Sequence, residues 1–80
     1  MTDRSIAGEA RLDNRDELLR ALGVEAEERS RLSDLALILR AYDRWGEACA
    51  GKLLGDFAFA IKDRLTGRAF GARDHLGVKP

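Results

Sequence analysis

The sequence predicts an α+β domain in which two helices are followed by an antiparallel β-hairpin. The large side chains of Phe57, Phe59 and Ile61 alternate with small or charged ones, which is the period-2 pattern of a strand. Ahead of this strand, apolar residues recur at helical spacing, at Leu35, Ile38, Leu39, Tyr42 and Trp45. Short helical and strand patterns therefore follow one another along the chain.

The hairpin is predicted from strands at residues 57–62 and 68–72, joined by a turn in which Gly67 can adopt positive φ. The face opposite the phenylalanines is mostly alanine. Small residues there favour a strand that is covered on both faces by other layers. We expect Phe57, Phe59, Ile61, Leu39 and Trp45 to form the centre of the core, because they combine large apolar areas with consistent periodicity.

The segments before the hairpin show helix start and stop signals. A short strand is predicted to end at Leu12, and Asp13 or Asn14 can then cap a helix over residues 15–22 that stops at Gly23. The charged run at residues 25–31 is predicted to be a connection or an extra helical turn. Ser33 caps the clearest helix, at residues 33–45, and residues 47–54 are expected to add a brief helical turn.

Composition excludes several classes of function. The 80 residues carry 14 Lys and Arg against 14 Asp and Glu, so bulk charge indicates neither a nucleic-acid partner nor an anionic membrane surface. No apolar run approaches the length of a membrane span, and the first residues lack a signal core, so we expect a cytoplasmic protein. One cysteine, Cys49, and one histidine cannot provide a zinc site, and no metal-binding residues are predicted.

Four motifs occur in order within residues 7–80: Ser33-Asp34, Trp45-Gly46, Gly55-Asp56-Phe57-Ala58-Phe59, and Ala72-Arg73-Asp74-His75-Leu76-Gly77. At this spacing the sequence resembles the glutaminase domain of glutamine-hydrolysing asparagine synthetases, which are type 2 glutamine amidotransferases. The resemblance implies part of an N-terminal-nucleophile fold, an αββα sandwich in which two antiparallel sheets lie between helical layers. Residues 1–80 would then form an incomplete domain of this family.

The resemblance also implies partners. The first strands and a downstream synthetase domain would lie outside the chain, and ATP and Mg would belong to that synthetase domain, so no cofactor is expected here. Glutamine would be bound weakly or not at all. Missing strands would leave sheet edges open, so we expect the hairpin's outer edges to be unpaired and the chain to form a homo-oligomer.

The nucleophile that the resemblance requires is absent, so no catalytic residue is assigned. The family uses an N-terminal cysteine, whose thiolate attacks the glutamine amide and whose α-amino group serves as the base. Thr2 becomes N-terminal if Met1 is removed, but it lies only a few residues before the match, where the family has additional sheet. Cys49 lies in a stretch that the family uses structurally, so we expect an inert thiol.

The oxyanion position is altered as well. Where the family reads Asn-Gly-Glu, this chain reads Glu9-Ala10-Arg11, and a carboxylate at the Asn position would repel the oxyanion. Asp34 matches the acidic residue that binds the α-amino group of glutamine. Ser33-Asp34 is equally suited to helix capping, and the sequence leaves both readings open. The altered motif is similar to that of asparagine-synthetase-like proteins with other amide-forming roles, such as the cyclases of lasso peptide pathways.

The run Arg73-Asp74-His75 suggests a catalytic relay, but adjacent residues on an extended segment point apart, and we expect a structural loop in which Arg73 and Asp74 are paired.

Two alternatives to the amidotransferase interpretation remain. One is a winged-helix DNA-binding module, which has the same coarse outline but should carry a basic recognition helix, whereas residues 33–45 balance acidic and basic side chains. The other is a small self-associating interaction domain.

Overall fold

The computed structural model describes residues 4–73. Seven elements follow one another in the chain: β1 (Arg4–Leu12), α1 (Arg15–Ala21), α2 (Ala26–Arg29), α3 (Asp34–Trp45), a 3₁₀ segment (Gly46–Lys52), β2 (Gly55–Asp63) and β3 (Arg68–Arg73). The predicted α+β class is confirmed. No helix within residues 4–73 is long and apolar enough to cross a membrane.

The strands form one antiparallel sheet in the order β1-β2-β3, so β2 lies in the centre. The predicted hairpin is confirmed, with Ile61 opposite Phe70 and Asp63 opposite Arg68. The expectation that both outer edges of the hairpin are unpaired is wrong for β2. Its other edge pairs along its full length with β1, from Arg4 opposite Asp63 to Leu12 opposite Gly55. The sequence pattern missed most of β1, because this strand has no run of alternating large apolar residues.

Gly8 permits the close approach of β1 to β2. Its φ is +138°, in the region that side-chain-bearing residues rarely adopt, and a Cβ at this position would lie 2.2 Å from the carbonyl oxygen of Ala58. Since that distance is far inside van der Waals contact, any other residue would push the two strands apart.

One face of the sheet packs on the helices. Phe57, Phe59 and Ile61 are buried, as predicted, and they share a core with Leu37 and Ile38 of α3. The prediction for α3 was wrong in detail, because Leu39 and Trp45 are only partly buried and pack at the margin of the core. Helix α3 lies mainly against β1 and the 3₁₀ segment, so it turns Leu37, Ile38 and Ala41 inward.

The other face of the sheet is open. Ala58, Ala60 and Lys62 are exposed, as are Ala7 and Glu9 on the neighbouring strand. The expectation that β2 is covered on both faces is therefore not met within residues 4–73. All of the buried helical side chains in this part of the chain pack on the phenylalanine side, so residues 4–73 contribute one helical layer and one sheet.

The connections follow the predicted signals in most cases. The Ser33 hydroxyl accepts a hydrogen bond from Ala36 N at 3.1 Å and caps α3, and residues 26–29 form the predicted helical turn. Asn14 occupies the N-cap position of α1, but its side chain does not cap the helix. It bonds Lys52 O at 2.8 Å and Leu54 N at 3.1 Å, and so fastens the start of α1 to the segment that enters β2.

We expect Phe59→Ala to lower the free energy of unfolding by about 3–5 kcal/mol, because the side chain is 6% exposed and its loss leaves a cavity in a small core. Urea unfolding followed by circular dichroism measures the change. Leu65→Ala is the control, since Leu65 is 79% exposed in the β2–β3 turn. Equal midpoints for the two variants would contradict the assignment of the buried face.

We expect the chain to self-associate, because the open face presents a row of small residues, Ala7, Ala60 and Gly71, and because β1 and β3 are edge strands in the described sheet. Sedimentation velocity should show the average mass rising with concentration. Ala60→Lys should suppress the rise, whereas Ala26→Lys, at an exposed position on α2, should not. A cooperative monomer at high micromolar concentration would overturn this prediction.

Candidate functional site

Asp34 begins α3 and holds two segments together through its carboxylate. Oδ2 accepts a hydrogen bond from the backbone N–H of Leu12 at 2.9 Å, and Oδ1 accepts one from Arg15 at 2.6 Å. The side chain of Asp34 is 21% exposed. The sequence left two interpretations of Asp34 open, helix capping and substrate binding. The structure shows that Ser33 caps the helix, whereas Asp34 directs its oxygens towards β1 and α1. The α-amino role of Asp34 stays a prediction.

Arg15, the first residue of α1, is the partner of Asp34. One of its terminal nitrogens binds the carboxylate, and the other donates to the backbone oxygens of Arg29 and Leu32. A planar guanidinium suits this arrangement, because its donors point in fixed directions towards several acceptors at once. Arg15 therefore connects the start of α1 to the chain on both sides of the α2–α3 connection.

Glu9 and Ala10 lie in the middle of β1, opposite Ala58 and Phe57 of β2. Strand alternation directs their side chains to opposite faces: Glu9 is exposed on the open face, and Ala10 packs at the margin of the core. The carboxylate of Glu9 thus stands on the face away from the helices. Its predicted position as an altered oxyanion residue is still untested.

The structure connects these predicted positions through the backbone. Leu12, which donates its N–H to Asp34, lies three residues after Glu9 on the same strand. Asp34 therefore binds the end of the strand that carries the predicted oxyanion position. The sequence pattern singled out Asp34 but missed Arg15 and the Leu12 amide, because Asp34 lies 19 and 22 residues away from them in the chain. The only signal for Arg15 was its place at a helix start beside a predicted cap.

Cys49 lies in the 3₁₀ segment and is 0% exposed. Burial raises the pKa of its thiol to about 11, so the thiol is protonated at neutral pH. The thiolate is the nucleophilic form of cysteine, and a buried protonated thiol is inert. The predicted burial of Cys49 is confirmed, and the absence of a catalytic role stays a prediction.

The remaining predicted positions fall at the ends of the chain. Thr2, Asp74 and His75 lie outside the described residues, so the Thr2 nucleophile and the Arg73–Asp74 pair are not addressed by the structure. Arg73 is exposed at the end of β3, opposite Ala58.

No group of three or more His, Cys, Asp or Glu side chains within residues 4–73 could hold a metal ion. A groove of about 280 Å³ lies between α1 and the 3₁₀ segment, where Leu18 and Trp45 contribute to its lining. Neither Asp34 nor Glu9 lines it, so this groove is separate from the predicted glutamine position.

We expect Cys49 to resist alkylation in the folded chain, since both its burial and its raised pKa remove reactive thiolate. Iodoacetamide at pH 8, followed by mass spectrometry, should label it only in urea, and Cys49→Ala controls for other sites. Because burial raises the pKa of this thiol from 9.0 to about 11, Cys49 should make folding less favourable as pH rises between these values. Rapid labelling of the native chain would contradict the burial.

Comparison with known proteins places this sequence in a family. The family described as a glutamine amidotransferase domain matches residues 2–80. Asparagine synthetase 3 (glutamine-hydrolyzing) of Bacillus subtilis strain 168 is 41% identical over 69 residues, which cover 86% of this chain and 11% of that protein. No solved structure matches the chain.

Shorter matches agree. A putative glutamine-hydrolyzing asparagine synthetase of Mycobacterium bovis is 46% identical over 43 residues, covering 54% of this chain and 7% of the relative. A putative glutamine-hydrolyzing asparagine synthetase 2 of Methanocaldococcus jannaschii is 42% identical over 48 residues, which cover 60% of this chain and 9% of that relative. The chain thus spans about a tenth of the length of these relatives. The resemblance predicted from its motifs is confirmed, and this chain belongs to the family of glutamine amidotransferase domains.

Proposed function

We propose that this chain is part of the glutamine-hydrolysing domain of an asparagine-synthetase-like amide ligase, and that it contributes substrate recognition and not the nucleophile. In such a ligase the domain would release ammonia from glutamine for ATP-dependent amide formation. The observation that carries the proposal is the family match over residues 2–80, together with the hydrogen bond from the end of β1 to Asp34.

Asp34 is the residue proposed to bind the α-amino group of glutamine. Its carboxylate is held in one place by two hydrogen bonds, which leaves room for further donors, because each carboxylate oxygen can accept more than one. A fixed carboxylate is a suitable partner for an ammonium group, since its orientation does not have to be ordered on binding.

Three features argue that the chain alone does not hydrolyse glutamine. It has no N-terminal cysteine, its one cysteine is buried and protonated, and Glu9 stands at the position where the family places an oxyanion donor. Loss of one such donor typically lowers the rate by about 100–1,000-fold, and a negative charge there opposes the oxyanion further. Hydrolysis of glutamine by the chain alone is therefore proposed to be absent. The glutamine binding assigned to Asp34 is proposed to be weak.

ATP and Mg are assigned by this proposal to a synthetase domain that is not among these 80 residues. Residues 4–73 do not fit the pair, because they include no cluster of metal ligands and no glycine-rich loop that opens a helix. The proposed partners are glutamine and that synthetase domain, and the proposed location is the cytoplasm.

The winged-helix alternative is not supported by the comparisons, and the contacts of α3 also argue against it. Arg40 forms an ion pair with Glu28 at 2.5 Å, and Asp43 binds Arg4. A recognition helix needs basic side chains that are available to phosphates and base edges. On α3, Arg40 and Asp43 instead pair with neighbouring elements.

We expect the purified chain to release no glutamate from L-glutamine above the buffer rate, because it lacks an activated nucleophile. Glutamate dehydrogenase coupling measures the product, and Cys49→Ala is the matched control for thiol chemistry. Activity that survives Cys49→Ala and requires removal of Met1 would overturn the prediction and indicate Thr2.

The ligase assignment has a separate test. Coding DNA next to this sequence should encode an in-frame Met-Cys-Gly start upstream and a pyrophosphatase-type loop downstream. Absence of both from the flanking DNA would contradict the proposed ligase, whatever the result of the glutaminase assay.

A further inference from the structure

The carboxylate of Asp34 is fixed by its hydrogen bonds. Two donors reach it within the described residues: the Leu12 amide, at 2.9 Å from Oδ2, and Arg15, at 2.6 Å from Oδ1. The Leu12 amide belongs to a regular strand, and its position follows from the β1–β2 pairing. Arg15 is the donor that can lock the rotation of the carboxylate, because it approaches the other oxygen.

Arg15 is itself held at a second point. Its other terminal nitrogen donates to Leu32 O and, at 2.5 Å, to Arg29 O, so the guanidinium cannot turn without breaking contacts to the end of α2 and to the α2–α3 connection. Its side chain is 27% exposed, which keeps most of it out of solvent. Two constraints on one planar group define the direction of the donor that meets Asp34.

We propose that Arg15 is the positioning residue of the α-amino subsite: it orients the Asp34 carboxylate and couples it to the strand that carries Glu9 and Ala10. The inference rests on the proposed role of Asp34 in glutamine recognition. Arg15 does not touch the ligand in this proposal. It acts through Asp34, and the end of β1 is the second element that Asp34 holds.

Charge determines which substitution tests this role. Arg15 already balances the negative charge of Asp34, so the carboxylate would accept hydrogen bonds from an ammonium group without acting as an unpaired anion. A neutral residue in place of Arg15 would leave the negative charge of Asp34 unbalanced. The affinity for L-glutamine would then change through charge as well as through geometry. Arg15→Lys keeps the charge and removes the planar fork, so it isolates the geometry.

The experiment uses the full chain labelled with ¹⁵N, at a concentration where sedimentation shows a monomer. Hydrogen exchange of the Leu12 amide reports whether Asp34 still accepts its hydrogen bond. Titration with L-glutamine reports recognition, and glutaramate, which is glutamine without its α-amino group, reports what the remainder of the ligand contributes.

The matched control is Arg40→Lys. Like Arg15, Arg40 forms an ion pair with a residue of another helix, here Glu28 of α2, but it does not contact Asp34. We expect Arg15→Lys to speed exchange at Leu12 and to weaken L-glutamine about tenfold relative to Arg40→Lys, the effect of losing one well-placed charged hydrogen bond. Glutaramate should bind both variants equally poorly.

Asp34→Asn gives a second test that keeps the shape of the site. Its amide oxygen can still accept from Leu12, so exchange at Leu12 should stay slow, whereas the L-glutamine response should be lost. The same exchange rate and affinity in Arg15→Lys as in Arg40→Lys would overturn the inference alone. Failure of the unmodified chain to distinguish L-glutamine from glutaramate would overturn the proposed role of Asp34 together with the inference.

Discussion

The pairing of β1 with β2 is the constraint on which the rest of the structure depends. It makes β2 a central strand and delivers the Leu12 amide to the start of α3. The pairing requires glycine at two points of closest approach, since a Cβ at Gly8 or at Gly55 would lie 2.2 Å from a carbonyl oxygen of the facing strand. A short stretch with little apolar periodicity thereby becomes the element that organises the candidate site.

Charged side chains fasten both ends of this strand to α3. At one end Arg4 binds Asp43 of α3 and Asp63 of β2, with its guanidinium over the ring of Tyr42. At the other end Asp34 accepts hydrogen bonds from the Leu12 amide and from Arg15. Burial of Asp63 raises its pKa, but hydrogen bonds from Arg4 and from the turn amides outweigh that effect and hold the pKa below its usual value. Its carboxylate thus stabilises the fold above about pH 4, and this contribution is lost as pH falls through the lowered pKa.

The elements that the sequence predicted well carry local signals. The alternation around Phe59, the turn at Gly67 and the Ser33 cap are each visible within a few residues, and each is present in the structure. What escaped prediction depends on distant contacts. The full length of β1 becomes evident only beside β2, and Arg15 gains its significance from a carboxylate 19 residues away. The inward turn of Leu37 likewise follows from where α3 lies on the sheet, which periodicity alone does not determine.

The structure also bears on the chemistry proposed for this chain. Hydrolysis of an amide needs a nucleophile, an oxyanion site and a hold on the substrate, and these requirements are separable. Within residues 4–73 the thiol is sealed in the core, and Glu9 points to the open face of the sheet, away from the layer in which Asp34 is anchored. The part that residues 4–73 hold in a fixed position is the Asp34 carboxylate. Under the role proposed for Asp34, recognition of glutamine can therefore outlast its hydrolysis, because Asp34 is kept in place by contacts that stabilise the fold itself.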